Sequence, residues 1–150
     1  MAAEKLKVLT DTIAGECIAV RMRMLNRVVT NIYDDALRPL GLKVSQMNIL
    51  VAAGTMGTAR PAEICARMHL DASTLSRNVE RMKTRGWLEV IAVDDGRAQP
   101  FRLTTEGRKL LLQADPAWRK AQKRARALLG DGIVEQLGQA VGRLGETIQK

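Results

Sequence analysis

The chain has 150 residues, 46% of them hydrophobic, and carries a formal charge of +8 at pH 7. That length admits one compact domain with helical extensions, and its core must rest on aliphatic side chains and Met, because Tyr33, Trp87, Phe101 and Trp118 are the only aromatics. The basic balance suits an anionic partner such as nucleic acid, while Cys17, Cys65 and His69 are too scattered for a zinc site, so neither metal nor cofactor is expected.

No apolar run approaches the roughly 18 residues of a membrane span. The N-terminus, charged at Glu4, Lys5 and Lys7, lacks the apolar core of a secretory signal, so a cytoplasmic protein with reduced thiols and no membrane partner is expected.

From about Leu6 to Leu37 the pattern predicts one long helix. One stripe runs Ile18, Met22, Leu25, Val29, Ile32, Ala36 and another Ile13, Cys17, Val20, Met24, Val28, so this helix needs more than one packing partner. Pro39 and Gly41 end it, and a helix from about Val44 to Ala53 precedes a Gly54–Gly57 turn. Pro61 suits the first position of a third helix, with Glu63 in its first turn. Asp71 then caps a fourth, through about Arg85, by accepting the N–H of Ser73 or Thr74, and Gly86 stops it in the left-handed region.

This fourth helix carries the sharpest signal. Leu75, Val79 and Met82 form its inward stripe, whereas Ser73, Thr74, Ser76, Arg77 and Arg81 lie on other faces, the disposition needed to contact bases and phosphates in a groove. An ordinary capped surface helix is the alternative. Arg60, just ahead of the third helix, joins the candidate contacts. Trp87–Val93 and Gln99–Leu103 read as a hairpin around Asp94–Arg97, provided Pro100 sits where no ladder N–H is needed. Arg97 at its tip can enter a minor groove. Thr104 or Thr105 opens a basic helix through about Leu129 that Pro116 should kink, and a last helix carries Ile133, Leu137, Val141, Leu144 and Ile148. The chain ends, 1–36 and 105–150, are expected to build a dimer interface around a DNA-reading lobe at 37–104. No Ser/His/Asp set, carboxylate dyad with a placed base or phosphate-cradling Gly loop is present, so enzymatic activity is not expected.

Several spaced motifs together resemble the MarR family of winged helix-turn-helix regulators: Leu37-Arg-Pro-Leu-Gly-Leu42 with Gln46, Pro61-Ala-Glu-Ile64, Ser73-Thr-Leu-Ser-Arg77, Arg85-Gly-Trp-Leu88, Asp95-Gly-Arg97 and Leu103-Thr-Thr-Glu-Gly107. The resemblance implies a mainly α fold with a small β-hairpin wing, and a homodimer whose two lobes read a pseudo-palindromic operator in double-stranded DNA. It further implies repression released by a small phenolic or aromatic carboxylate effector, in a crevice lined here by Arg21, Leu25, Asn26, Val29, Met47, Leu50 and Trp118. Lys43 departs from the pattern, standing where a capping Thr or Ser is usual; a DNA phosphate nearby would relieve a cation at that helix start. A thiol-based switch using Cys17, or a helical adaptor that binds protein in place of DNA, are the competing functions.

Overall fold

The computed structural model describes residues 1–94 and 99–148, with side chains through residue 145 apart from that gap. Among the described residues, helices α1 (Ala2–Glu16), α2 (Ile18–Leu37), α3 (Val44–Met56), α4 (Pro61–Met68) and α5 (Ala72–Thr84) precede strands β1 (Leu88–Val90) and β2 (Phe101–Leu103), and α6 (Thr105–Leu129) and α7 (Asp131–Ile148) follow. A short 3-10 turn, Arg38–Leu40, joins α2 to α3 and closes on Gly41 at φ +64°.

The expected single N-terminal helix is broken at Cys17, whose backbone is extended (φ −64°, ψ 109°). Gly15 is a poor helix former, and the Arg21 guanidinium donates to its carbonyl, which a continuing helix would have kept for its own ladder. At the other end of α2, Asp34 Oδ1 accepts the N–H of Val44 at 2.8 Å, and Gln46 Oε1 accepts that of Lys43 at 3.1 Å. The start of α3, expected to lack a cap, is therefore capped twice by residues other than Lys43. Helix α3 also runs past Ala53 through Gly54, because that glycine lies against β2: a Cβ there would sit 3.0 Å from Leu103 Cδ1.

One core joins the lobe, with Leu37, Leu50, Ile64, Leu75, Met82 and Phe101 all essentially fully buried. Burying one such aliphatic or aromatic side chain contributes about 1.5–3 kcal/mol before entropy is counted. Smaller residues, Ala121 and Ala125 of α6 with Ile32 of α2, make a second cluster where those two helices cross. There the Tyr33 hydroxyl donates to Gln122 Oε1, and burial pushes the phenol's pKa up.

The two strands are shorter than expected, pairing antiparallel as Leu88 with Leu103, Glu89 with Arg102 and Val90 with Phe101. Ala59 adds a bridge that periodicity gave no sign of, exchanging both backbone hydrogen bonds with Phe101 at 2.8 and 3.0 Å. Pro100 donates nothing to the ladder, but its carbonyl accepts from Ile91 at 2.7 Å. Helix α6 runs unbroken through Pro116, with buried Ala114 and Ala121 packing on either side of it. Its start is fixed by Thr104, whose Oγ1 accepts from Gly107 at 3.0 Å and donates to the Gly86 carbonyl at 2.5 Å. Gly107 touches the chain so closely that a Cβ would lie 2.1 Å from the Trp87 carbonyl oxygen.

Outside this core, α1 buries none of its residues, and Leu9, Ile13, Met24, Val141 and Leu144 are half exposed or more on α1, α2 and α7. These faces are apolar surface left uncovered in a single protomer.

Because Trp87 belongs to the base of the hairpin and cannot withdraw without breaking it, Gly107→Ala should destabilise the fold by about 3 kcal/mol. A urea midpoint equal to that of the parent protein would contradict the contact.

Candidate nucleic-acid interface

The surface builds upward from two helices and the turn between them. Helix α4 ends at His69, which takes the left-handed conformation (φ 51°) that His tolerates better than bulkier residues, and the Leu70 N–H closes the turn on the Cys65 carbonyl at 3.0 Å. Asp71 then starts α5. Its Oδ1 accepts the Thr74 N–H at 2.7 Å and the Ser73 hydroxyl at 2.6 Å, and its Oδ2 accepts the Thr74 hydroxyl at 2.6 Å. These donors, the Ser73 hydroxyl foremost, hold the carboxyl far below the usual carboxylate range.

The cap changes the expected use of the two hydroxyls. Ser73 and Thr74 spend their protons on Asp71, leaving oxygen lone pairs, so toward a DNA phosphate they offer no donor until the cap rearranges. Ser76, Arg77 and Arg81 are exposed on α5, and neither arginine has a hydrogen bond or ion pair to a described residue. Five of these six positions, Ser73, Ser76, Arg77, Arg81 and Asp71 itself, are exposed, while Thr74 is half-buried.

Across a cleft of about 590 Å³, Arg81 meets the start of α3, so that Lys43, Ser45, Asn78, Arg81 and Arg85 share one wall system with Glu80. The sequence pointed to Lys43 and Arg81 separately; Ser45, Asn78 and Arg85 were missed, since only the tertiary approach of α3 to α5 gathers them. Arg60, the residue before α4, is exposed with a long ion pair to Glu63 at 3.8 Å. Arg97 lies outside the described residues. Arg102, farther down the hairpin, is tied across the strands to Glu89 at 2.6 Å.

The expected effector crevice does not come together within one protomer. Met47 and Leu50 are buried in the main core, Leu50 completely, with Trp118 packed against it; Val29 belongs to the second cluster; Arg21, Leu25 and Asn26 are exposed on α2. Leu50 is completely buried in the cluster that also holds Phe101 and Leu37, so it has no face left for a ligand. Cys17 is half-buried at the α1–α2 break as a free thiol, rather than inside a helix, and Cys65 is likewise free.

A helix, a turn, a capped exposed helix and a hairpin, carried between long flanking helices, define a winged helix-turn-helix lobe on helical arms. The profile of the MarR family matches residues 40–98, which are the heart of that lobe. The HTH-type transcriptional regulator YwoH of Bacillus subtilis is 29% identical over 83 residues, 55% of this chain and 61% of that protein. The chain thus spans about 60% of the length of the curated relatives it matches. The M. tuberculosis transcriptional regulator MOSR, solved in complex with DNA, is 32% identical over 90% of this chain and 100% of its own, with a TM-score of 0.75. An E. coli MarR mutant complexed with operator DNA shares the fold, with a TM-score of 0.76 at 19% identity over 89% of this chain and 96% of that one. The protein belongs to the MarR family.

The depressed Asp71 carboxyl fixes the sign of one pH effect. Its contribution is fully present above the ordinary carboxylate value near 3.9 and is lost only as pH falls through its lower folded value. Asp71→Asn, which keeps a capping carbonyl but not the charge, should therefore flatten the acid limb of the stability curve and lower the neutral-pH urea midpoint, and Asp71→Ala should lower that midpoint further. An acid limb identical in the parent and Asp71→Asn proteins would show that the cap does not titrate with folding.

Proposed function

We propose that this protein is a dimeric, sequence-reading DNA-binding transcriptional regulator, with α5 as the recognition helix. The observation that carries this reading is the outer face of α5: exposed Ser76, Arg77 and Arg81 beyond a firmly capped first turn, backed by the fully buried Leu75 and Met82. Guanidinium groups without a partner among the described residues remain available for guanine edges or phosphates, and Lys43 across the cleft adds a cation at the start of α3. MOSR, the relative at 32% identity, was solved bound to DNA, which supports the same use here.

The uncovered apolar faces of α1, α2 and α7 support a homodimer built from the chain ends. Two lobes would then present their recognition helices about 34 Å apart, one turn of DNA, to a pseudo-palindromic site. Repression, with release by a small organic acid, is the regulatory mode that fits. The expected crevice of Arg21, Asn26 and their neighbours can form only where a second protomer closes over α2. Within one protomer a candidate is a cleft of about 510 Å³ between α2 and α6, where Lys120 and Arg124 stand beside Ile32, Ala36 and Ala121, and the one carboxylate in the lining, Asp35, is paired with Arg38. Cations next to apolar walls suit a carboxylate on an apolar body. A ligand there acts by its differential affinity for two arm positions.

Selection of genomic fragments by the purified protein tests the central reading, with recovery of a common two-fold symmetric site as the expected outcome. Arg77→Ala should weaken that complex by about 1–3 kcal/mol, and Arg97→Ala should make its salt dependence shallower by about one counterion. Binding no tighter than to random duplex, or full affinity in Arg77→Ala, would overturn it in favour of an adaptor role. Leu9→Glu, which puts a charge on the α1 face, should shift the species in sedimentation from dimer toward monomer; a monomeric parent protein would remove the dimer from the proposal.

A further inference from the structure

Three arginines, Arg77, Arg81 and Arg85, follow one another at four-residue spacing from the middle of α5 to its C-cap, and charge alone would treat them alike. Arg77 and Arg81 are exposed without an ion pair or hydrogen bond to a described residue, whereas Arg85 turns its guanidinium back onto the protein. Resting on the DNA-reading function above, we propose that Arg85 is a positioning residue that fixes the recognition helix against the α2–α3 turn, through a guanidinium held between the Gly41 carbonyl and the Trp87 ring.

Local geometry sets up this strut. The end of α5 is closed by two backbone bonds, Gly86 N–H to the Lys83 carbonyl and Trp87 N–H to the Met82 carbonyl, both 2.9 Å, around Gly86 at φ +74°. That paired closure rotates Trp87 under the last turn of the helix, where its ring meets the side chain of Arg85. Arg85 Cζ lies 5.0 Å from the ring centroid, while Nη1 donates to the Gly41 carbonyl at 2.9 Å, 44 residues back along the chain. A planar guanidinium can spread its charge over a ring while an in-plane N–H donates elsewhere; the shorter, compact lysine head is a point charge that does not reproduce that reach and geometry.

Gly41 is shaped to receive it. Its φ of +64° favours glycine, and a Cβ added there would sit 2.8 Å from Arg85 Nη1. Since Nη1 is the tip of a flexible side chain, a methyl at residue 41 would expel the guanidinium before it moved the backbone. Gly41 ends the turn that follows α2, and Trp87 carries the carbonyl against which α6 starts at Gly107. Arg85 therefore ties the reading helix to both arms of the molecule. A shift of either arm can reach α5 through this side chain, beside the shared core and the Thr104–Gly86 bond, and the side chain itself needs no contact with DNA.

The test compares Arg85→Ala, Arg85→Lys, Gly41→Ala and the Arg85→Ala/Gly41→Ala double variant, with Arg77→Ala as control, on the duplex selected by the parent protein and on random duplex. A strut predicts about a tenfold loss on the selected duplex for Arg85→Ala, an unchanged salt slope, the same loss in Gly41→Ala, no further loss in the double variant, and no rescue by lysine. A salt slope shallower by about one in Arg85→Ala would identify a phosphate contact instead and overturn the proposal, as would additive losses or full affinity in Arg85→Ala. If Gly41→Ala shows no cooperative urea transition, Arg85→Gln replaces it: it keeps a donor but not the charge over the ring, and an intermediate loss supports the strut while parent affinity overturns it. Should the parent protein select no duplex, the DNA reading fails by itself, and the strut is judged without DNA. A urea double-mutant cycle between Arg85→Ala and Trp87→Phe then decides, non-additivity supporting the strut and additivity overturning it.

Discussion

The lobe depends on a steric constraint at one point: the Trp87 carbonyl oxygen occupies the space where residue 107 would carry a side chain. Because Gly107 is bare, the first turn of α6 presses directly onto the base of the hairpin, and Thr104 seals the contact by bonding Gly86 on one side and Gly107 on the other. Three elements meet there, the end of α5, the first strand and the start of the long arm, so the orientation of the reading helix is inherited from a backbone contact rather than from side-chain packing alone. Close backbone approach of this kind tolerates little adjustment, since interiors are packed to near-crystalline density and the displaced group is itself hydrogen-bonded.

Much of this arrangement was legible in the residues. Pro61, Asp71, Gly86 and Thr104 each announce an element boundary through local chemistry, a fixed φ, a capping carboxylate, a left-handed stop and a capping hydroxyl, and each boundary stands where that chemistry puts it. The inward stripe of Leu75 and Met82 was equally plain, because a helix with one buried face writes its period into the sequence. The class of protein followed from the order of these signals rather than from any one of them.

What stayed hidden is tertiary in origin. The break at Cys17 has no proline, and the apolar stripes run across it undisturbed, so periodicity reads through it. Ala59 pairs with Phe101 only because the chain returns past β2 from far away in sequence. Arg85 marks only the end of the fourth helix in the sequence, since one of its two partners lies 44 residues away. The hydroxyls of Ser73 and Thr74 were read as outward-facing, and the structure turns both toward the cap, since a carboxylate one residue ahead of a helix outcompetes solvent for nearby donors. The effector residues were the least legible, because their choice rested on the family resemblance, and the chain places them partly in two separate clusters and partly on the surface of α2.

The carboxylate of Asp34 gives the architecture a thermodynamic character. It belongs to α2 yet terminates the backbone ladder of α3, with Val44 at 2.8 Å. If α2 peels away, an orphaned amide at the head of its neighbour is exposed at once, and the neighbour frays from that end. Arm and lobe are thereby welded into a single foldon at their junction, in which partial opening exposes more than it frees. Such a joint resists melting by halves and couples the position of α2 to the first turn of α3.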